Sequence, residues 1–123
     1  MKEYAHRLPE GRSAEIYMRL LQILVVEKQY LDPSLTATKL AERMEVDKRV
    51  VSAVIVRETG ENYTHLVNKL RLDEACKMLK SPRYSELTAE QIGLMCGFKN
   101  RQSFYTAFDG KMGMTPRQYR NKK

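Results

Sequence analysis

Apolar residues along this chain recur at steps of three and four and almost never alternate in twos, the pattern of packed amphipathic helices and not of strands. Pro9, Pro33, Pro82 and Pro116 separate the helical stretches. In SAEIYMRLLQILVVEKQY, from Ser13 to about Tyr30, residues Ile16, Leu20, Ile23 and Leu24 share one stripe. Ser13 is the expected N-cap there, Glu15 suits the first turn, and Asp32-Pro33 closes the segment. A second long helix is predicted from Asn62 to Lys80, with Leu66, Val67, Leu70, Ala75 and Leu79 turned inward and Pro82 ending it.

Around that long helix the chain repeats itself. Leu35-Thr36-Ala37 matches Leu87-Thr88-Ala89, Leu40-Ala41 matches Ile92-Gly93, and Val46 matches Phe98, all at an offset of 52. One inserted residue then makes the offset 53, and Ile55 matches Phe108, Gly60 matches Gly113, and Leu66 matches Tyr119. In each copy a Thr caps a short helix, a tight turn follows, Asp47 or Asn100 caps a second helix, and a Gly ends it. Thr88-Ala89-Glu90-Gln91 reads as a capping box. Two short helices across a tight turn make a helix-turn-helix, and the chain holds two. Gly93 supplies the small residue and Gly97 the turn of the second copy; the first has Ala41 and Glu45, which predicts a left-handed Glu45 or a reshaped turn. Gly110 is expected to end the second copy's later helix early.

The chain has 123 residues, 42% hydrophobic and 30% charged, a folded single-domain composition with an all-α core. A formal net charge of +7 points to an anionic partner. Most of the excess lies in residues 99–123, where seven basic residues face Asp109 alone, a net +6. No apolar stretch has the length of a signal-peptide core or a membrane span, so a cytoplasmic protein without membrane attachment is expected. Cys76 and Cys96 lie twenty positions apart without a C-x-x-C pattern, and His6 and His65 are remote from them in sequence. The two cysteines read as small buried residues, with no metal, cofactor or enzyme chemistry implied.

Gly97-Phe98, Ser103-Phe104, Phe108, Gly113-Met114-Thr115-Pro116 and Tyr119-Arg120 together resemble the C-terminal signature of AraC/XylS-family transcription regulators. With Arg71-Leu72, Ala75 and Leu40-Ala41 the resemblance spans about residues 13 to 121. It implies seven helices in two helix-turn-helix lobes, with the second helix of each lobe in a DNA major groove. The expected organisation is a polar extension over 1–12, a first lobe over 13–61, a linking helix over 62–80 and a second lobe over 81–123. Two such helices about 34 Å apart would reach successive grooves on one face of B-DNA, so a monomer suffices.

Family matching places Arg101, Gln102, Tyr105 and Thr106 of the second lobe, and Arg49, Ser52 and Ala53 of the first, at base-contacting positions. Arg pairs in bidentate fashion with guanine, and Gln with adenine. Lys48, Arg57, Lys99, Asn100, Arg117 and Arg120 are expected at phosphates. Only Arg49 is a strong reader in the first lobe, and Asp47 beside it repels phosphate, so the second lobe is expected to select more of the sequence. Double-stranded DNA is the expected partner, with RNA polymerase as a second. The alternative is a helical protein-interaction module, which the Val-rich stretch of the first lobe would suit.

Overall fold

Side-chain oxygens that accept the unpaired N–H groups of a first turn set most helix starts in this chain. The computed structural model describes residues 9–123. Among them are the α-helices α1 (Glu10–Leu21), α2 (Ala37–Met44), α3 (Lys48–Thr59), α4 (Tyr63–Lys80), α5 (Ala89–Met95), α6 (Arg101–Met112) and α7 (Pro116–Asn121), and no strand. Thr36 Oγ1 accepts from Lys39 N at 3.1 Å, Asp47 Oδ1 from Arg49 N at 2.7 Å, Asn62 Oδ1 from His65 N at 2.9 Å and Asn100 Oδ1 from Ser103 N at 2.8 Å. Thr88 and Thr115 form full capping boxes, since Gln91 and Gln118 accept in return from the cap N–H groups at 2.8 and 2.9 Å.

Helix α1 departs from expectation at both ends. It begins at Glu10, because the Ser13 N–H is already bound to Pro9 O at 3.0 Å inside the first turn. The Ser13 hydroxyl is buried and donates instead to Glu58 Oε2 on α3 at 2.9 Å. Residues 10–12, expected in a polar extension, are thus helical, while residues 1–8 of that extension lie outside the described residues. A π-helical turn over Gln22–Val26 follows α1, and Lys28 at φ 57° stops the helix short of Tyr30.

The chain sorts into two compact units, the first comprising residues to Gln29 and Leu35–Val67, the second Tyr30–Ser34 and Asn68–Lys123. Helix α4 starts in one and ends in the other. In the first unit Ile16, Leu20 and Leu24 join Leu40, Met44, Val51, Val54 and Ile55 in the core, and Arg19 Nη2 caps α2 through Met44 O at 3.0 Å. In the second, Leu72, Ala75 and Leu79 of α4 pack with Ile92, Cys96, Phe98, Phe104 and Phe108. Ring centroids lie 5.1 Å apart for Phe98–Phe104, 5.7 Å for Phe104–Phe108 and 5.5 Å for Phe108–Tyr119, tilted or edge-on, the favoured aromatic geometries. Of the α4 residues expected inward, Leu66, Val67, Ala75 and Leu79 are buried and Leu70 is half-buried.

Both units make their turn with the same backbone bond. Val46 N–H donates to Ala41 O at 3.1 Å, and Phe98 N–H to Gly93 O at 3.2 Å, an equivalence at the offset of the sequence repeat. The left-handed residue is Glu45 in the first turn (φ 58°) and Gly97 in the second (φ 102°). A side chain at 97 would also collide, since its Cβ would stand 2.5 Å from Tyr30 O and 2.7 Å from Arg71 Nε. The inserted residue, Lys99, lengthens the second turn. Gly110 does not end α6, which continues to Met112 and closes at Gly113 (φ 69°).

A Cβ on Gly93 would lie 2.3 Å from the Phe104 ring, while one on Gly110 meets nothing within 4 Å. Gly93→Ala should therefore destabilise by about 1–3 kcal/mol, and Gly110→Ala should stabilise by about 1 kcal/mol. Urea unfolding of both variants checks the pair of opposite signs.

Candidate nucleic-acid interface

Helix α6 owes its orientation to Phe104 and Phe108, which are one turn apart and fully buried. Lys99, Asn100, Arg101, Gln102, Ser103 and Thr106 consequently stand exposed at its N-terminal end, and Tyr105 is half-buried. Asn100, Gln102, Ser103, Thr106 and Ala107 line an open hollow of about 340 Å³ together with Asn68 of α4, a polar residue that sequence reading did not single out.

Glu90, in the first turn of α5, organises one side of this face. The Tyr105 hydroxyl donates to Glu90 Oε2, Arg117 forks onto the carboxylate with Nε at 3.2 Å and Nη2 at 3.3 Å, and Arg101 Nε approaches to 3.7 Å. The Arg101 guanidinium also lies 4.5 Å from the centre of the Tyr105 ring. The Glu90 side chain is only 19% exposed against 66% for each arginine. The Tyr105 hydrogen bond above all, with the Arg117 contacts, holds the Glu90 carboxyl down at about 2, and the same bond, after burial, raises the Tyr105 hydroxyl.

Arg120 corrects an expectation. It is half-buried, with Nη1 donating to Leu87 O at 2.5 Å and Nη2 to Tyr84 O at 2.7 Å, so it fastens α7 to the loop before α5 instead of pointing outward. Cys96 is buried and Cys76 half-buried. Burial pushes the Cys96 thiol up to about 12, which leaves it an inert apolar group. Among the described residues no cluster of His, Cys, Asp and Glu is placed to hold a metal ion.

The first unit presents a narrower face. Helix α3 packs against both α1 and α2, and Ala53, expected outward, is 2% exposed and belongs to the core. Its counterpart in α6, Thr106, is exposed. Outward on α3 stand Lys48, Arg49 and Val56, with Ser52 and Arg57 half-buried. Arg49 grips its own cap, with Nε 3.3 Å from Asp47 Oδ1 and Nη2 3.3 Å from Oδ2, and this pairing holds Asp47 below the usual carboxylate range.

The family model described as a helix-turn-helix domain matches residues 40–122, from α2 to the end of α7. The chain belongs to the AraC-type helix-turn-helix family of DNA-binding domains. The AraC-type chain is similar, at 28% identity over 120 residues, to the HTH-type transcriptional activator RhaR of Yersinia pseudotuberculosis serotype O:1b (strain IP 31758), covering 98% of this chain but 38% of that protein. It is also similar, at 31% identity and a TM-score of 0.78, to the C-terminal domain of AraT, a response regulator from Geobacillus stearothermophilus, over 95% of this chain and 88% of that one. A transcriptional regulator of the AraC-type DNA-binding group from Chromobacterium violaceum shares the fold, with a TM-score of 0.68 at 23% identity over 85% of this chain and 91% of that one. No described helix of the AraC-type chain is long and apolar enough to cross a membrane.

The lowered Glu90 pKa has a signed consequence. A carboxylate depressed on folding contributes stability above its ordinary value near 4.5 and loses it as pH falls toward about 2. Wild type should therefore lose thermal stability across that window more steeply than Glu90→Gln, as melting curves at stepped pH will read.

Proposed function

We propose that this chain is the DNA-reading part of a transcriptional regulator, and that α3 and α6 each enter a major groove, successive ones on the duplex. The observation that carries the reading is the exposed, basic and hydrogen-bonding end of α6, mounted on an aromatic core by a helix-turn-helix that the first unit repeats. Such a helix end brings bidentate donors to base edges and cations to phosphates.

Arg101, Gln102 and Thr106 are the proposed base readers of the second unit, with Tyr105 beside them. Arg49 and Ser52 serve the first. Lys48, Arg57, Lys99, Asn100 and Arg117 are the proposed phosphate contacts, whereas Ala53 and Arg120 are committed to the interior and to backbone carbonyls. Because Arg49 must leave Asp47 to reach a base, the second unit is proposed to select more of the sequence. A chain with two readers binds as a monomer, in the cytoplasm where duplex DNA is found, with RNA polymerase as the neighbour through which it acts.

Arg101→Ala should relax preference at one or two base pairs, each worth about 1–3 kcal/mol of discrimination. Lys99→Ala should weaken every duplex alike and reduce the salt slope by about 1. Fluorescence anisotropy against matched and substituted duplexes at several salt concentrations separates the two, and uniform losses in both variants would remove Arg101 from base reading.

A further inference from the structure

Glu90 is an odd residue to find beside a surface meant for polyphosphate. It repels the duplex, yet it is the best-connected side chain of the second unit's exposed face, joined to Tyr105, Arg117 and Arg101. These contacts close a ring: Glu90 binds the Tyr105 hydroxyl, the Tyr105 ring lies against the Arg101 guanidinium, and the Arg101 Nε points back to Glu90. Tyr105 is itself fixed from behind by an edge-on contact with the buried Phe104, centroids 6.1 Å apart.

We infer that Glu90 is a positioning residue for base selection, holding Tyr105 and Arg101 in the one arrangement that presents the arginine's terminal nitrogens to a base edge. The inference rests on the proposal that Arg101 reads a base. An unrestrained arginine on a helix surface samples many rotamers and forfeits up to about 2 kcal/mol of side-chain entropy when a base captures it. A carboxylate at Nε and a ring under the guanidinium plane remove most of that freedom beforehand, and approach through Nε leaves the opposite nitrogen pair for the two acceptors of guanine. The same carboxylate offsets a crowded positive site, where Arg101 and Arg117 converge beside the positive end of the α6 dipole. Glu90 therefore trades general attraction to DNA for discrimination. Its effect runs opposite to that of a phosphate-contacting cation, which raises affinity for every sequence alike.

The test is anisotropy titration of wild type, Glu90→Gln, Tyr105→Phe and the double variant against a duplex selected by wild type, its single-base-pair variants and an unrelated duplex. Arg101→Ala identifies the base pair in question. Glu90→Gln should lose at least about fivefold of the preference at that pair while binding the unrelated duplex more tightly. Tyr105→Phe, which keeps the ring in place, should lose preference at the same pair, and the double variant should lose no more than the larger single loss, as coupled residues do. Equal tightening on all duplexes with the preference intact would reduce Glu90 to charge balance and overturn the inference. Should Glu90→Gln fail to fold, Tyr105→Phe decides alone, and an unchanged preference overturns it. A wild-type protein that prefers no base pair overturns the DNA-reading proposal itself.

Discussion

The second unit depends on one steric fact: the Phe104 ring occupies the space where any side chain at position 93 would stand. Because α5 has no Cβ there, α6 crosses it closely enough for Phe104 to seal the core, with Phe98 and Phe108 each against its ring and Tyr119 edge-on to Phe108. With those rings fixed inward, helical geometry leaves Arg101, Gln102, Tyr105 and Thr106 no choice of face. The interface is thus the reverse side of the packing, and its chemistry is set by residues that never meet solvent. The first unit reaches the same crossing with Ala41, and its turn carries Glu45 in a left-handed conformation, costing on the order of 1–2 kcal/mol that glycine would spare.

Features decided within a few residues were legible in the sequence. The caps at Thr36, Asp47, Thr88, Asn100 and Thr115, the glycine stops at Gly60 and Gly113, and the helix-turn-helix repeat all arise from local hydrogen bonding and spacing. What escaped was tertiary. Ser13 looks like a cap until Glu58, 45 residues away, claims its hydroxyl. Ala53 matches an outward position in the other copy, but α3 packs against both α1 and α2, which leaves its side chain 2% exposed. Arg120 is basic and near the C-terminus, yet two loop carbonyls hold it. Glu90 was visible only as the filler of a capping box, although an acidic residue preceding so basic a segment was a signal of its own.

Charge is distributed unevenly between the units, and the acidic residues divide their labour accordingly. In the first unit Asp47 caps α3 and ties down Arg49, so the strongest cation of that face is engaged before DNA arrives. In the second, Glu90 meets Arg101 through Nε alone, whereas Asp47 takes both Nε and Nη2 of Arg49. All three arginines stay largely exposed, Arg49 at 62% and Arg101 and Arg117 at 66%. Exposed ion pairs of this kind add little stability. On the proposed reading, their value lies in the geometry they impose, which prepares the second unit to discriminate and the first to hold.

The most direct test of a two-helix DNA reader is selection from a pool of random duplexes of roughly 25 base pairs, long enough for two grooves, at near-physiological salt, with sequencing of the retained molecules. The account predicts a two-block motif one helical turn apart, with one block sharply specified and lost in Arg101→Ala, and the other weaker. No enrichment, with only weak binding that salt abolishes, would contradict it and leave the positive charge as an unspecific surface.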